Sequence, residues 1–376
     1  MRILLIGEAS FLHNTLKRGL VERGNSVVTM SDGNGWHNAP RDINLRRDPR
    51  WGKLGGLKVV WQLLRHFKAL CGNDIVQIHN YQFVPLKGGW NVMLLRFLKL
   101  VNRRVVKGCY GDDPQIFRRQ AEGVPAYSDT YWHGMAQNMA ANRARIAEVM
   151  LPSAFKAWRK TSLMADALVP CLYEYWLDYD EPPFADRVHY IGLPVVLPKP
   201  SEVRQKGDGD VIRVLVGLQP GREFMKGAKI IAAFVETVAR RHTGKVIVEY
   251  VEGVPYGEYM RMLSEADVLV DQFYSFTPSM NSLAAMARGT VVIGGGEEDY
   301  YEFIGEKRLR PIINVSPELS DDANVATIEH AFFSDGGNTL SRLSRESVSF
   351  VAKYHDYRLI AAQYEKLYDE LLNING

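Results

Sequence analysis

The chain shows the same opening pattern once in each half: an apolar run that ends in glycine, an amphipathic segment, and a second apolar run. The first copy begins with RILLIG (2–7), and the second begins with VIRVLVGLQPG (211–221). A continuous apolar run is typical of a strand buried on both faces, and parallel strands need a helical crossover between them. The pattern therefore predicts two α/β domains, each with a doubly wound parallel sheet.

The domain boundary is predicted from the segment LPVVLPKPSEVRQKGDGD (193–210), which is rich in proline, glycine and charge. We predict an N-terminal Rossmann-like domain over 1–198 and a C-terminal one over 205–354. The tail over 355–376 has the apolar spacing of a helix. Two such domains place their strand carboxyl ends opposite each other across a cleft, where ligands of this fold class bind.

Charge and cysteine usage indicate the surroundings of the protein. Residues 1–200 hold 27 Lys and Arg against 17 Asp and Glu, and residues 201–376 hold 19 against 26, so the net charge of +3 combines +10 with −7. No nucleic-acid-binding module accompanies the basic half, which argues against a nucleic-acid partner. The three cysteines show no C-x-x-C spacing, the N-terminal apolar run is too short for a signal peptide, and no stretch has the length of a membrane span. We expect a cytoplasmic protein.

The second half resembles a known family in three segments: GLQPGREFMKG (217–227), VEYVEGVPYGEYMRMLSEADVLVDQF (248–273) and AMARGTVVIGG (285–295). They are similar to the C-terminal domain of GT-B fold nucleotide-sugar glycosyltransferases, in particular the retaining, family 4-like group related to sucrose and mannosyl transferases. Weaker likeness in DIVQIHN (74–80) and HYIGLPV (189–195) extends the resemblance over most of the chain. It implies the GT-B fold, with a C-terminal helix that crosses back to the N-terminal domain.

The resemblance also implies a donor-binding site. Arg222 and Lys226, followed by Gly227, would grip the diphosphate of a nucleotide sugar such as a UDP- or GDP-hexose. The leaving diphosphate gains negative charge as the sugar bond breaks, so an enzyme without a metal needs fixed cations and amides at that point. The alternative interpretation is a pair of solvated loop cations.

The start of a second helix is predicted to complete this site, because free backbone N–H groups at a helix N-terminus favour an anion. It is formed by Ser279, Met280, Asn281 and Ser282, and a plain N-cap is the alternative for Asn281. The loop over 251–255 is predicted to flank the base, with a surface turn as the alternative. The remaining donor-binding candidates lie at strand ends: Gly7, Glu252 and Val254.

The chain departs from the family's motif at both of its glutamates. Alignment on AMA (285–287) puts Phe276 at the first and Ala284 at the second. In the family the second glutamate accepts hydrogen bonds from ribose hydroxyls, which an alanine side chain cannot do, so the contact with the ribose stays open. The first glutamate reaches the donor sugar in the family, so its replacement leaves the identity of the sugar open as well.

The candidate catalytic residues are Tyr110, Asp112, Asp113 and His79. Tyr110 stands where many relatives carry histidine in an H-G-x-D motif. Its ordinary pKa of about 10 makes it unsuited to act as a base at neutral pH, but its hydroxyl can still donate or accept a hydrogen bond. Asp112 and Asp113 suit acid–base chemistry or contact with sugar hydroxyls, with helix N-capping as the alternative. His79 ends a predicted strand, where a packed histidine is the alternative, and His133 is an equal candidate from an inserted loop.

Two D-x-D triplets, at 178–180 and 208–210, are typical of metal-dependent transferases with a different, single-domain fold. Both lie among turn-forming residues, and neither directly follows a strongly buried strand. We therefore predict no essential metal and no cofactor.

Two basic amphipathic segments, 53–70 and 87–104, pair bulky apolar residues with Lys and Arg at helical spacing. Basic helices that carry Trp can lie on anionic bilayers, which predicts peripheral contact with an anionic membrane. The alternative is a pair of helices packed on the sheet with their cations in solvent.

The resemblance, together with these residues, thus implies a metal-independent glycosyltransferase whose partners are a nucleotide sugar and a glycan or lipid-linked acceptor, and the resemblance favours retention of the anomeric configuration. Two alternatives stay open. One is a nucleotide-sugar 2-epimerase of the same architecture, which would turn over the donor without an acceptor. The other is a degenerate transferase that binds a nucleotide sugar or glycan without turnover, which the missing glutamates favour.

Overall fold

The computed structural model describes residues 1–34, 38–137, 139–203, 211–218 and 226–374. The chain divides into two compact units. Unit 1 consists of Met1–Pro125, Asn138–Pro194 and Tyr357–Gly376, and unit 2 consists of Ala126–Gln137 and Val195–Asp356.

Unit 1 contains a six-stranded parallel sheet. Its strands are β1 (Arg2–Ile6), β2 (Ser26–Ser31), β3 (Ile43–Asn44), β4 (Ile75–Ile78), β5 (Arg104–Cys109) and β8 (Ala167–Pro170). They lie in the order β3-β2-β1-β4-β5-β8. The order changes direction between β1 and β4, and sheets of this type bind ligands outside the strand carboxyl ends at that switch point.

Helices cover both faces of this sheet. They are α1 (Leu12–Glu22), α2 (Gly55–Arg65), α3 (Gly88–Val101), α4 (Pro114–Ala121), α5 (Ala140–Val149), α6 (Pro152–Met164) and α7 (Tyr173–Tyr179), with 3-10 helices at Pro49–Leu54, Phe67–Leu70 and Ala185–Arg187. Along β1, Leu5 packs in one core with Leu16 of α1, whereas Leu4 packs in another with Val59 of α2. Because both faces are buried, the strand is apolar at successive positions.

Unit 2 contains a five-stranded parallel sheet. Its strands are β9 (Ile212–Leu218), β10 (Val246–Glu252), β11 (Val268–Val270), β12 (Val291–Gly294) and β13 (Ile312–Asn314). Their order is β10-β9-β11-β12-β13, so the switch point of this sheet lies between β9 and β11.

The helices of unit 2 bury one apolar side against this sheet. They are α8 (Ala228–Arg241), α9 (Tyr256–Glu265), α10 (Met280–Met286), α11 (Glu298–Phe303), α12 (Asp321–Phe333) and α13 (Asn338–Tyr354), with 3-10 helices at Pro200–Glu202 and Ser334–Gly337. Ile231 and Val235 of α8, four residues apart on one helix face, share the core with Val214 and Val216 of β9.

The last helix, α14 (Tyr357–Asn373), belongs to unit 1. Its Ile360 and Tyr364 pack in the same core as Leu16 of α1. Glu365 accepts hydrogen bonds from Arg23 and Asn25, both at 2.6 Å. The prediction that the C-terminal helix returns to the N-terminal part of the chain is confirmed.

A short hairpin differs from the predicted division, which assigned all residues up to 198 to the first domain. The segment 126–137, here called the inserted hairpin, belongs to unit 2. It contains β6 (Tyr131–Trp132) and β7 (Met135–Ala136), which pair antiparallel. Its Tyr127 donates a hydrogen bond to Glu297, 170 residues further along the chain. The inserted hairpin is held in unit 2 by tertiary contacts such as this one, so no local sequence pattern predicts that it belongs to unit 2.

Candidate functional site

The switch point of unit 2 brings together the residues that follow β9 and β11. The carbonyl of Lys226 accepts a hydrogen bond from the backbone N–H of Phe273 at 2.8 Å. Gly227 follows in a left-handed conformation, with φ of 68°, and a Cβ atom there would lie 2.7 Å from the Cβ of Phe273. Only glycine fits this approach, so Lys226 is held beside the segment after β11. Arg222 lies outside the described residues.

Helix α10 begins at this switch point, and its first side chains bond within the unit. The Ser279 hydroxyl accepts the N–H of Ser282 at 3.3 Å, and the Ser282 hydroxyl donates to buried Asp271. The Asn281 side-chain oxygen accepts a hydrogen bond from Tyr259 at 2.9 Å. The predicted N-cap alternative therefore describes Ser279 rather than Asn281.

The start of α10 offers a ligand its backbone N–H groups rather than its side chains. Within the described part of the chain, no residue accepts a hydrogen bond from the N–H of Met280 or Asn281. On the other side of β9, Glu252 is the exposed last residue of β10, and half-buried Val254 follows in the turn before α9. Both stand at the carboxyl edge of the sheet, as the strand order requires.

The switch point of unit 1 brings Gly7 and His79 into contact. Gly7 has φ of 84°, and a Cβ atom there would lie 1.8 Å from Nδ1 of His79. That nitrogen is buried and has no hydrogen-bond partner among the described residues. Burial lowers the pKa of His79 to about 4. The imidazole is therefore neutral at neutral pH and is a weak base.

Tyr110 is a structural residue in this fold. Its hydroxyl accepts a hydrogen bond from Gln77 at 3.2 Å and lies 2.5 Å from the hydroxyl of Tyr364 in α14. Tyr368 donates to the other side of Gln77 at 2.6 Å. Burial raises the pKa of Tyr110 well above its ordinary value. The side chain joins the last helix to the sheet and is directed into the core.

The two aspartates after β5 have different partners. Asp112 pairs with Arg145, whose Nε lies 2.5 Å from the carboxylate. Asp113 is fully buried and caps α4 by accepting the N–H groups of Gln115 and Ile116. The N-capping alternative describes Asp113, and burial raises its pKa.

The inserted hairpin reaches the carboxyl edge of the unit 2 sheet. The ring of Tyr127 stacks on Phe276, with centroids 4.5 Å apart and planes at 23°. Glu297, directly after β12, accepts the Tyr127 hydroxyl hydrogen bond at 2.6 Å. His133 bonds Glu318 at 3.0 Å in an exposed pair of unit 2. Sequence reasoning missed Glu297, although the run GGGEED after an apolar strand marks a strand carboxyl end.

The D-x-D triplets do not form a metal site in the part of the chain that the structure describes. Asp178 is fully buried in α7, and residues 208–210 lie outside the described residues. No group of three or more His, Cys, Asp or Glu among the described residues has the geometry to hold an ion.

Two doubly wound units and a returning C-terminal helix are the GT-B architecture, and the predicted fold is confirmed by solved structures. The chain is 16% identical to sucrose-phosphate synthase from Thermosynechococcus elongatus, with a TM-score of 0.60 and 99% of both chains covered. It is 11% identical to the catalytic domain of starch synthase IV from Arabidopsis thaliana bound to ADP and acarbose, with a TM-score of 0.61 and 99% of both chains covered. It is 10% identical to WaaG, a glycosyltransferase involved in lipopolysaccharide biosynthesis, with a TM-score of 0.57 over 99% of this chain and 100% of that one. No family model and no curated protein matches the sequence. The likenesses to these solved structures therefore establish the fold alone.

Proposed function

We propose that the protein is a glycosyltransferase that moves a sugar from a nucleoside-diphosphate donor to a glycan or lipid-linked acceptor. The observation that carries this proposal is the switch point of unit 2, where Lys226 and the start of α10 follow neighbouring strands in a GT-B fold. A cation and two backbone N–H groups are the chemistry that a departing diphosphate requires. In this proposal Arg222 adds a second cation, no metal takes part, and the anomeric configuration is retained.

Binding of nucleoside diphosphates tests the donor site. Lys226→Ala should weaken binding of UDP or GDP by about tenfold to a hundredfold, because hydrogen bonds to charged groups contribute roughly 1.5–3 kcal/mol. Arg222→Ala should have the same effect. Uridine and guanosine, which lack phosphate, should bind the variants as they bind the wild type. Isothermal titration calorimetry measures all of these affinities.

Lys229→Ala is the matched control, since Lys229 is an exposed cation on α8 three residues beyond Lys226. It should leave the affinities unchanged. Undiminished binding of both diphosphates by Lys226→Ala would contradict the proposed site.

The acceptor side of the proposal rests on an exposed apolar surface of unit 1, here called the α2–α3 face. Its members are large apolar side chains that are each more than half exposed: Trp51, Leu54, Leu57, Trp61, Leu64, Trp90 and Met93. Val59 and Leu63 of α2 and Leu95 of α3 lie buried against the sheet, so these helices pack inwards and still present apolar residues outwards. Several large apolar side chains exposed on neighbouring elements are typical of an interaction site.

Charge indicates what binds the α2–α3 face. Residues 53–70 and 87–104 contain nine Lys and Arg and no Asp or Glu. Phe67 contacts Phe97 of α3, with ring centroids 5.5 Å apart, and joins the two segments. An anionic lipid surface complements both the cations and the apolar side chains. No helix in the described part of the chain has the length and apolarity that crossing a membrane requires. The cations and the exposed apolar side chains together support the proposal that this face makes peripheral contact with the cytoplasmic face of a membrane.

A further inference from the structure

Glu297 lies at the carboxyl edge of the unit 2 sheet, next to the proposed donor site. Its backbone N–H donates to the carbonyl of Phe276 at 3.2 Å. Phe273 lies three residues before Phe276, and its N–H donates a hydrogen bond to the carbonyl of Lys226 at 2.8 Å. The segment 273–276 thus connects the predicted phosphate-binding lysine with this carboxylate. β11 and β12 are neighbouring parallel strands, so the loops that follow them meet at the same edge.

The side chain of Glu297 is held in one orientation by the inserted hairpin. The Tyr127 hydroxyl donates to Oε1 at 2.6 Å, and the Tyr127 ring is stacked on Phe276. Both rings are nearly inaccessible, with 3% and 7% of their surface exposed. A hydroxyl fixed by such packing orders the carboxylate before any ligand binds.

Glu297 has no counter-ion among the described residues, and none of them bonds to its second oxygen, Oε2. Its neighbour Glu298 differs, because Arg310 pairs with it. A half-buried carboxylate that is held in one orientation and has no counter-ion is suited to accept hydrogen bonds from an incoming ligand.

The charge of Glu297 limits which part of a nucleotide sugar it can contact. Two anions repel each other, so this carboxylate is unsuited to the diphosphate. Sugar hydroxyls are donors, and an ionised carboxylate is an acceptor with two oxygens. We propose that Glu297 binds hydroxyl groups of the donor's sugar and that Tyr127 is its positioning residue. This inference rests on the proposed function, and it assigns the sugar-binding carboxylate to the loop after β12.

The test compares each diphosphate with its sugar conjugate: UDP with UDP-glucose, and GDP with GDP-mannose, by isothermal titration calorimetry. Glu297→Gln should bind the diphosphates as the wild type does and bind the preferred nucleotide sugar about tenfold more weakly. Tyr127→Phe keeps the stacked ring and removes only the hydroxyl, so it should act in the same direction with a smaller effect. Glu298→Gln, the matched control, should change neither affinity.

The outcomes separate this inference from the proposed function. If Glu297→Gln keeps the wild-type affinity for both ligands, or lowers both equally, the inference is overturned while diphosphate binding by the wild type still supports the proposed function. If the wild type binds none of the four ligands, both fail. A merely structural role for Tyr127 would lower the melting temperature without changing the ratio of the two affinities.

Discussion

Replacing Asp113 with alanine is expected to lower the free energy of unfolding by about 3–5 kcal/mol, because the change removes one partner of a buried ion pair. The carboxylate lies 3.9 Å from the ammonium group of Lys107, and both side chains have no exposed surface. Tyr179 donates to Asp113 at 2.5 Å and accepts from Lys107 at 2.9 Å. Without Asp113 the buried amino group of Lys107 loses its carboxylate partner, and α4 loses its N-cap.

Urea unfolding followed by circular dichroism measures this loss. Asp112→Ala is the matched control: the Asp112 side chain is 33% exposed and pairs with Arg145, so its removal should cost about 1 kcal/mol or less. A catalytic role for Asp113 predicts the reverse result, in which turnover disappears and stability is unchanged. Unfolding of Asp113→Ala at the wild-type urea concentration would show that the structural assignment is wrong.

The second large effect is expected on the α2–α3 face. Leu57→Asp combined with Leu64→Asp should reduce partitioning onto vesicles of phosphatidylglycerol and phosphatidylcholine by at least about a hundredfold. Each buried leucine contributes roughly 1.5–3 kcal/mol, and each new carboxylate is repelled by anionic lipid. The two leucines are 60% and 66% exposed and lie seven residues apart on one side of α2. Co-sedimentation at low salt measures the partitioning.

The matched control introduces the same charges elsewhere. Leu319→Asp with Leu359→Asp changes two exposed leucines outside the α2–α3 face and should leave vesicle binding unchanged. Rising ionic strength should release the wild type, because the cationic part of the attraction is screened. Equal wild-type recovery from anionic and neutral vesicles, or equal loss in the control, would exclude membrane docking by this face.

The fold was predictable because its signals are local. Residues 3–6 of β1 and 214–216 of β9 are apolar at successive positions, and this pattern follows from burial on both faces whatever their neighbours are. The spacing of Ile360 and Tyr364 likewise predicted a helix with one apolar side. For the candidate site, Lys226 and Gly227 were found through their order after a strand, and the structure shows their approach to Phe273.

Other roles depended on partners that no local pattern specifies. Tyr110 seemed available as a polar group at a strand end, but its hydroxyl meets Tyr364, 254 residues away. The sequence allowed Asp113 to be either a catalytic residue or a helix N-cap. In the structure it accepts two backbone N–H groups of α4 and pairs with Lys107, which assigns it to the N-cap. Residue type alone cannot distinguish these cases, since a hydroxyl or carboxylate serves equally well in a core network or at a ligand.

By itself, the sequence determined the two parallel sheets, their helical crossovers and a helical C-terminal tail, because periodic burial is recorded residue by residue along each element. The return of that tail to the N-terminal part of the chain was implied by the family resemblance. Tertiary structure alone decided that the inserted hairpin belongs to unit 2 and that Tyr127 orients Glu297. The physical reason is that a hydrogen bond between residues 170 positions apart depends on how the chain closes on itself. The sequence around Tyr127 and the sequence around Glu297 contain no pattern that identifies the other residue as a partner.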